Sequence, residues 1–316
     1  MVLKIILIIL AVLVVLFAVL WTVIYFGLFK TNIARPPKVD DIYTYDSKFP
    51  MYYHNDIVKT ESQWLYSQKL EDVEVKSFDN LTLKGIYLKN ENAKATMLFM
   101  HGVNGHPVRD FAGLYSFFYN KGFNVLLAYE RAQMESEGSF ITFGMKERFD
   151  CHSWVDFINE RNGKTLPVMI YGTSMGCASV LMSLGTEYPE NVKGIFADCG
   201  FTTPYEEFCF FIKNVLHLPV FPIIQVADLM CKIKAGFGLK EYSTETALKE
   251  NKIPVFFSYG TADRVVSNEM PKKNIAACSA PKMVFVTEGA DHGMAFFDNP
   301  DGWRVEASKF LDLYLK

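Results

Sequence analysis

From Ala95 onward the chain repeats one pattern, a short apolar run followed by a segment whose apolar positions recur at helical spacing. The runs Ala95–Met100, Phe123–Ala128, Val168–Tyr171, Val192–Ala197, Val255–Tyr259 and Met283–Thr287 read as strands. The segments Phe111–Asn120, Met145–Arg161, Ser174–Leu184, Asn268–Cys278 and Trp303–Leu315 read as helices. In Met145–Arg161, Cys151, Trp154, Phe157 and Ile158 share one helical face, and Gly163 is a C-terminal stop. Alternating β and α elements, joined by right-handed crossovers, predict a mostly parallel sheet with helices on both faces. Ahead of this region, Val73–Phe78 and Leu81–Leu88 alternate apolar and polar positions around Asp79 and Asn80, which predicts a hairpin. Residues 201–251 interrupt the alternation with an apolar, proline-broken stretch that has no strand-like run. They predict a small helical cap above the strand ends.

The N-terminal pattern is different. From Ile5 to Phe29 there are 25 consecutive uncharged residues between Lys4 and Lys30, enough to cross a hydrocarbon core of about 30 Å as a helix. Trp21, Tyr25 and Phe26 gather at one end, as in an interfacial belt. The run is longer than a signal-peptide core and ends in FGLFK without a small-residue cleavage site, so an uncleaved anchor is expected. Lys30, Arg35 and Lys38 outnumber Lys4 and the α-amine, which favours a cytoplasmic C-terminal domain. The expected organisation is an anchor over 1–30, a juxtamembrane linker and packing segment over 31–70, and one catalytic-size domain over 71–316.

Composition narrows the function. A formal net charge of −3 and 50% hydrophobic residues argue against nucleic acid as a partner. Cys151, Cys177, Cys199, Cys209, Cys231 and Cys278 have no metal-ligand spacing, and several sit in apolar runs, as reduced core thiols do. NGKT at 162–165 resembles the end of a phosphate-binding loop, but Ile158 stands where the first glycine belongs. No cofactor and no metal are expected.

The chemistry gathers at predicted strand ends. PVMIYGTSMGCASVLMSL, residues 167–184, reads as strand, sharp turn and helix, and GTSMG fits GxSxG with Ser174 at the tip. Asp263 in GTADRVV follows the strand Val255–Tyr259, and His292 in ADHG follows Met283–Thr287. A serine hydroxyl needs a base to become a nucleophile; imidazole supplies one, and a carboxylate orients the imidazole. Asp198, at the end of Val192–Ala197, is the rival acid. HGVNGH, residues 101–106, can turn amides inward, so the N–H groups of Val103 and Met175 are the candidate oxyanion donors. His101 reads as structural.

Together HGVNGH, RAQMESEGSFITFG, GTSMG, GTADRVV and ADHG make residues 73–316 resemble the α/β-hydrolase superfamily, in the branch of serine aminopeptidase S33-like and Bem46-like hydrolases. The resemblance implies an α/β-hydrolase fold with Ser174 as nucleophile, His292 as base and Asp263 as acid. The chain departs from the DxRGHGxS pattern: residues 128–136 keep Arg131 and Ser136 but lose the Asp and Gly positions, which leaves Arg131 a structural candidate. The expected activity is hydrolysis of an ester, thioester or amide through an acyl-enzyme, on a small-molecule lipophilic acyl substrate. Phe208, Phe211 and Val215 in the cap are candidate substrate contacts. The alternatives are an inactive binding scaffold and an aminopeptidase, for which Glu206 or Glu207 would hold the ammonium, although both read more readily as surface helix charge. The oligomeric state is left open.

Overall fold

The structure, a computed structural model, describes residues 1–36 and 53–315; Lys38 and the middle of the expected linker lie outside the described residues. Its centre is an eight-stranded sheet: β1 Leu70–Lys76, β2 Thr82–Leu88, β3 Ala95–Met100, β4 Phe123–Ala128, β5 Val168–Thr173, β6 Val192–Asp198, β7 Val255–Gly260 and β8 Lys282–Thr287. The order across the sheet is β1-β2-β4-β3-β5-β6-β7-β8. The hairpin β1/β2 is antiparallel and joins antiparallel to β4, and all later pairings are parallel. Every residue of β3, β4 and β7 is buried, as strands covered on both faces require. This is the mostly parallel sheet that the alternation predicts, and the α/β-hydrolase fold that the resemblance implies.

Around the sheet lie α1 Val2–Asn32, then α2 Asn55–Tyr66, α3 Leu114–Asn120, α4 Glu147–Asn162, α5 Met175–Ser183, α6 Pro204–Phe210, α7 Val220–Met230, α8 Thr244–Leu248 and α9 Glu269–Ala277. A last helix, α10 Pro300–Tyr314, closes the described chain. One sheet face carries an aromatic core in which Phe99, Phe118, Tyr171, Phe196, Phe256 and Trp303 are fully buried. The other packs Trp154 and Ile158 of α4 against Val180 and Leu181 of α5. The expected helix 111–120 starts later, at Leu114, because Gly113 at φ +81° breaks it from the turn Pro107–Asp110.

The cap is shorter than the expected 201–251. α6 and α7 each continue into one more widely wound turn, Phe211–Val215 and Cys231–Ala235, but α8 returns to the core. The Thr244 hydroxyl donates to the Thr202 carbonyl, and Ala247 and Leu248 pack with the α5 face.

α1 is joined to the domain by packing as well as by chain. Its residues up to Val23 have no buried member, whereas Ile24, Leu28, Phe29 and Ile33 are buried against Ile224, Met230, Phe143 and Met175. Ile141 N–H donates to Ile33 O at 2.7 Å, and Ala34 bridges to Phe140. The Arg35 guanidinium donates to the carbonyls of Met134, Ser136 and Gly138.

Candidate active site

The turn between β5 and α5 is the most constrained point of the backbone. Ser174 sits at φ +54°, ψ −118°, which an L-residue adopts only when its surroundings over-determine it. Two glycines provide the space. A Cβ on Gly172 would stand 2.5 Å from Gly176 O, and one on Gly176 would stand 2.0 Å from Met100 O. Any side chain at either position would push α5 off the sheet. The Ser174 N–H donates to Asp198 O at 2.9 Å, which ties the turn to β6.

Three strand ends meet here. Ser174 Oγ is 2.9 Å from His292 Nε2, and His292 Nδ1 is 2.8 Å from Asp263 Oδ2. The other Asp263 oxygen accepts the N–H groups of Val265 and Val266, both at 2.8 Å, so the carboxylate is fixed in rotation. Burial pulls the His292 pKa down, but Cys199 and the Asp263 carboxylate beside the ring outweigh it, and the net direction is well upward. The arrangement can pass a proton from Oγ to Nε2 while Nδ1–H stays on the carboxylate. Asp198 is not on the imidazole. Its carboxylate accepts the hydroxyls of Ser258 at 2.9 Å and Tyr171 at 3.3 Å, and burial pushes its pKa up to about 6.

The loop after β3 lies against the serine, with the Cβ position of Gly102 only 3.3 Å from Ser174 Cβ. Among the described residues, neither Val103 N–H nor Met175 N–H donates a hydrogen bond. His101 is fully buried; its Nδ1 bonds Gly102 O at 2.8 Å and its Nε2 accepts Glu130 N–H, while burial lowers its pKa. It staples the loops after β3 and β4. Arg131 is structural in the same sense, holding Asp150 at 2.6 and 2.7 Å and Asp79 at 3.0 and 3.1 Å.

The cap residues separate. Phe208 is buried against Phe143, with ring centroids 4.9 Å apart, and Phe211 is half-buried. Val215 is 43% exposed and is not brought together with them. Glu206 is a surface charge paired with Lys273. Glu207 corrects the expectation for the pair: it is buried, and its Oε2 has no partner among the described residues. Burial raises its pKa to about 8, with His292 and Asp263 close enough to act on it. Cys199, in the sequence only one of six core thiols, is brought to the imidazole by the fold. Its sulfur lies within 4.8 Å of donor atoms of Asp263 and His292, the described residues that come together as potential metal donors, and burial pushes the thiol's pKa up. Neither residue carries a local motif, so only the fold reveals them.

The sheet order and its connections give the chain the α/β-hydrolase fold. Residues 91–226 match the family described as serine aminopeptidase, S33. Among curated proteins, YqkD of Bacillus subtilis (strain 168) is 23% identical over 230 residues, 73% of this chain and 75% of that protein. An esterase of Pyrococcus furiosus has a similar structure, with TM-score 0.64 and 20% identity over 90% of this chain and 99% of the esterase. Est1E of Butyrivibrio proteoclasticus, solved with ferulic acid bound, matches at TM-score 0.57 and 14% identity over 77% of this chain and 99% of its own.

Proposed function

We propose that the protein is a membrane-anchored serine hydrolase that cleaves a lipophilic ester, thioester or amide through an acyl-enzyme. The carrying observation is the pair of bonds Ser174 Oγ to His292 Nε2 at 2.9 Å and His292 Nδ1 to Asp263 Oδ2 at 2.8 Å. On this reading His292 takes the Ser174 proton as Oγ attacks the acyl carbon, and the N–H groups of Val103 and Met175 receive the oxyanion. The imidazolium then protonates the leaving group, and a water activated by the same imidazole releases the acid. The apolar cap around Phe208 and Phe211 supplies the acyl pocket. The apolar length of α1 supports an anchor, and the Lys30 and Arg35 flank supports a cytoplasmic hydrolase domain. A fluorophosphonate probe is expected to label the full-length wild-type protein and not Ser174→Ala. Equal labelling of both would remove Ser174 as the nucleophile.

Glu207 favours a second reading, an aminopeptidase. A buried carboxyl beside His292 with one oxygen unpartnered among the described residues is a place for the ammonium of a free amino terminus, which would drive Glu207 to ionise. The readings separate on substrate: the first requires p-nitrophenyl esters to exceed aminoacyl amides in kcat/KM, and the second requires the reverse together with loss on Glu207→Gln.

A further inference from the structure

We propose that the outer face of the cap, from Val215 to Ile233, is a docking surface for the anionic interface of the bilayer that α1 crosses. The proposal rests on the membrane-anchor reading and names where the substrate enters. Exposed large apolar side chains are concentrated on this face: Phe221 is 73% exposed, Ile233 66% and Leu218 47%. Leu229 and Ile233 are spaced four apart, and Phe221, whose backbone at φ −89°, ψ 135° is not helical, stands eight residues before Leu229 at the start of α7. The opposite side of α7, through Ile224, Ala227 and Met230, is the side buried in the cap core. The outward stripe therefore has no role in holding the cap together.

Its position identifies the occupant. The same apolar cluster contains Ile24, Leu28 and Phe29 of α1, so the cap is packed around the point where that helix leaves the protein. The helix before Leu20, the first of its residues packed on that cluster, spans about 27 Å at 1.5 Å per residue, close to the thickness of a hydrocarbon core. A helix that uses this length to cross a membrane brings Tyr25, Phe26 and the adjoining cap to the headgroup level. The charge agrees. Residues 211–235 carry Lys213, Lys232 and Lys234 against Asp228 alone, in a chain of net charge −3. The Lys30 ammonium lies 5.6 Å from the Phe26 ring centroid and the Lys234 ammonium 5.1 Å from that of Tyr25, which sets two positive charges beside the aromatic end of α1, where an anionic headgroup would meet them. A lipid acyl chain would then pass from the bilayer beneath the cap to Ser174 without crossing bulk water, which makes membrane-resident acyl lipids the substrate class.

The test uses the full chain in vesicles of phosphatidylcholine with about one-third phosphatidylglycerol. An environment-sensitive fluorophore is placed at Phe221→Cys, Ile233→Cys and, as a control on α10, Val305→Cys, in a Cys209→Ser background because the other five thiols are buried. Doxyl groups on the lipids are expected to quench the labels at 221 and 233 several-fold more than the label at 305. Equal quenching at all three overturns the proposal, as does excimer formation between pyrenes at 221 of two chains, which would assign the face to a second copy. The measurement is repeated on Ser174→Ala, so it stands or falls independently of catalysis. A chain that fails to float with vesicles after carbonate extraction marks failure of the anchor reading itself. In the active protein, Phe221→Asp with Ile233→Asp is expected to raise KM for a vesicle-embedded long-chain ester about tenfold and to leave kcat/KM for soluble p-nitrophenyl acetate unchanged. An unchanged KM for the vesicle ester overturns the route.

Discussion

Replacing Asp263 with Asn tests the site at its least redundant bond. Asp263 Oδ1 accepts two N–H groups at 2.8 Å, and the Asn side-chain oxygen can keep both, so the loop 263–266 should hold its shape. The amide NH2 then faces His292 Nδ1, where a donor meets a nitrogen that had been donating. The ring answers by moving its proton to Nε2, and Nε2–H points at Ser174 Oγ, which can no longer lose a proton to it. The expected loss is about 10⁴ in kcat, or about 5.4 kcal/mol of barrier, with KM little changed. The pH profile supplies a second sign. The Asp263 carboxylate is among the groups that raise the His292 pKa, and activity requires the neutral ring. The wild-type acid limb should therefore lie above the ordinary imidazole midpoint of about 6.5, and the residual activity of Asp263→Asn should have its limb at lower pH. Asp198→Asn is the matched control: its carboxylate meets Ser258 and Tyr171 rather than the imidazole, and it should stay within about tenfold of wild type. Steady-state hydrolysis of p-nitrophenyl butyrate from pH 5 to 9 reads all three proteins. A near-normal Asp263→Asn beside a crippled Asp198→Asn would refute the reasoning.

For chain length, kcat/KM on p-nitrophenyl esters is expected to rise from acetate by about two decades to hexanoate and up to about three and a half to octanoate, since each buried methylene adds about 0.8 kcal/mol; a flat or falling series would sink the lipophilic pocket. Arg131→Met removes the partner of Asp150, a carboxyl that burial already pushes up to about 7, and is expected to cost about 3–5 kcal/mol in urea unfolding. A loss below about 1 kcal/mol would show that Arg131 does not hold the loop. Lys249→Cys, at an exposed position of the domain, should resist an impermeant maleimide on intact cells and react after permeabilisation; labelling without permeabilisation would reverse the orientation.

What could be read from the chain and what could not divide along the range of the forces involved. The turn at Ser174 is legible because much of its cause is local: a Cβ on Gly172 would stand 2.5 Å from Gly176 O within the turn itself, and the 2.0 Å approach of one on Gly176 to Met100 O adds the constraint of β3. The strands are legible because burial on both faces leaves uninterrupted apolar runs such as Ala95–Met100. Glu206 and Glu207 mark the limit. They are adjacent, identical in type and on one short helix, so propensity and composition treat them alike. A step of about 100° around the helix sends the first to Lys273 at the surface and the second inward beside His292, with one oxygen unpartnered. Only the placement of α6 over the strand ends separates them, and that placement depends on packing with Phe143, Ile224 and α1, scattered along the chain. The attachment of α1 is hidden for the same reason. Its apolar run continues without a break from Ile5 to Phe29, yet the part up to Val19 is exposed, Leu20 and Trp21 pack on the cap and Ile24, Leu28 and Phe29 are core. Lipid and protein interior select the same residues, so hydrophobicity alone cannot locate that boundary. The boundary is set by which turn of the helix meets the cap.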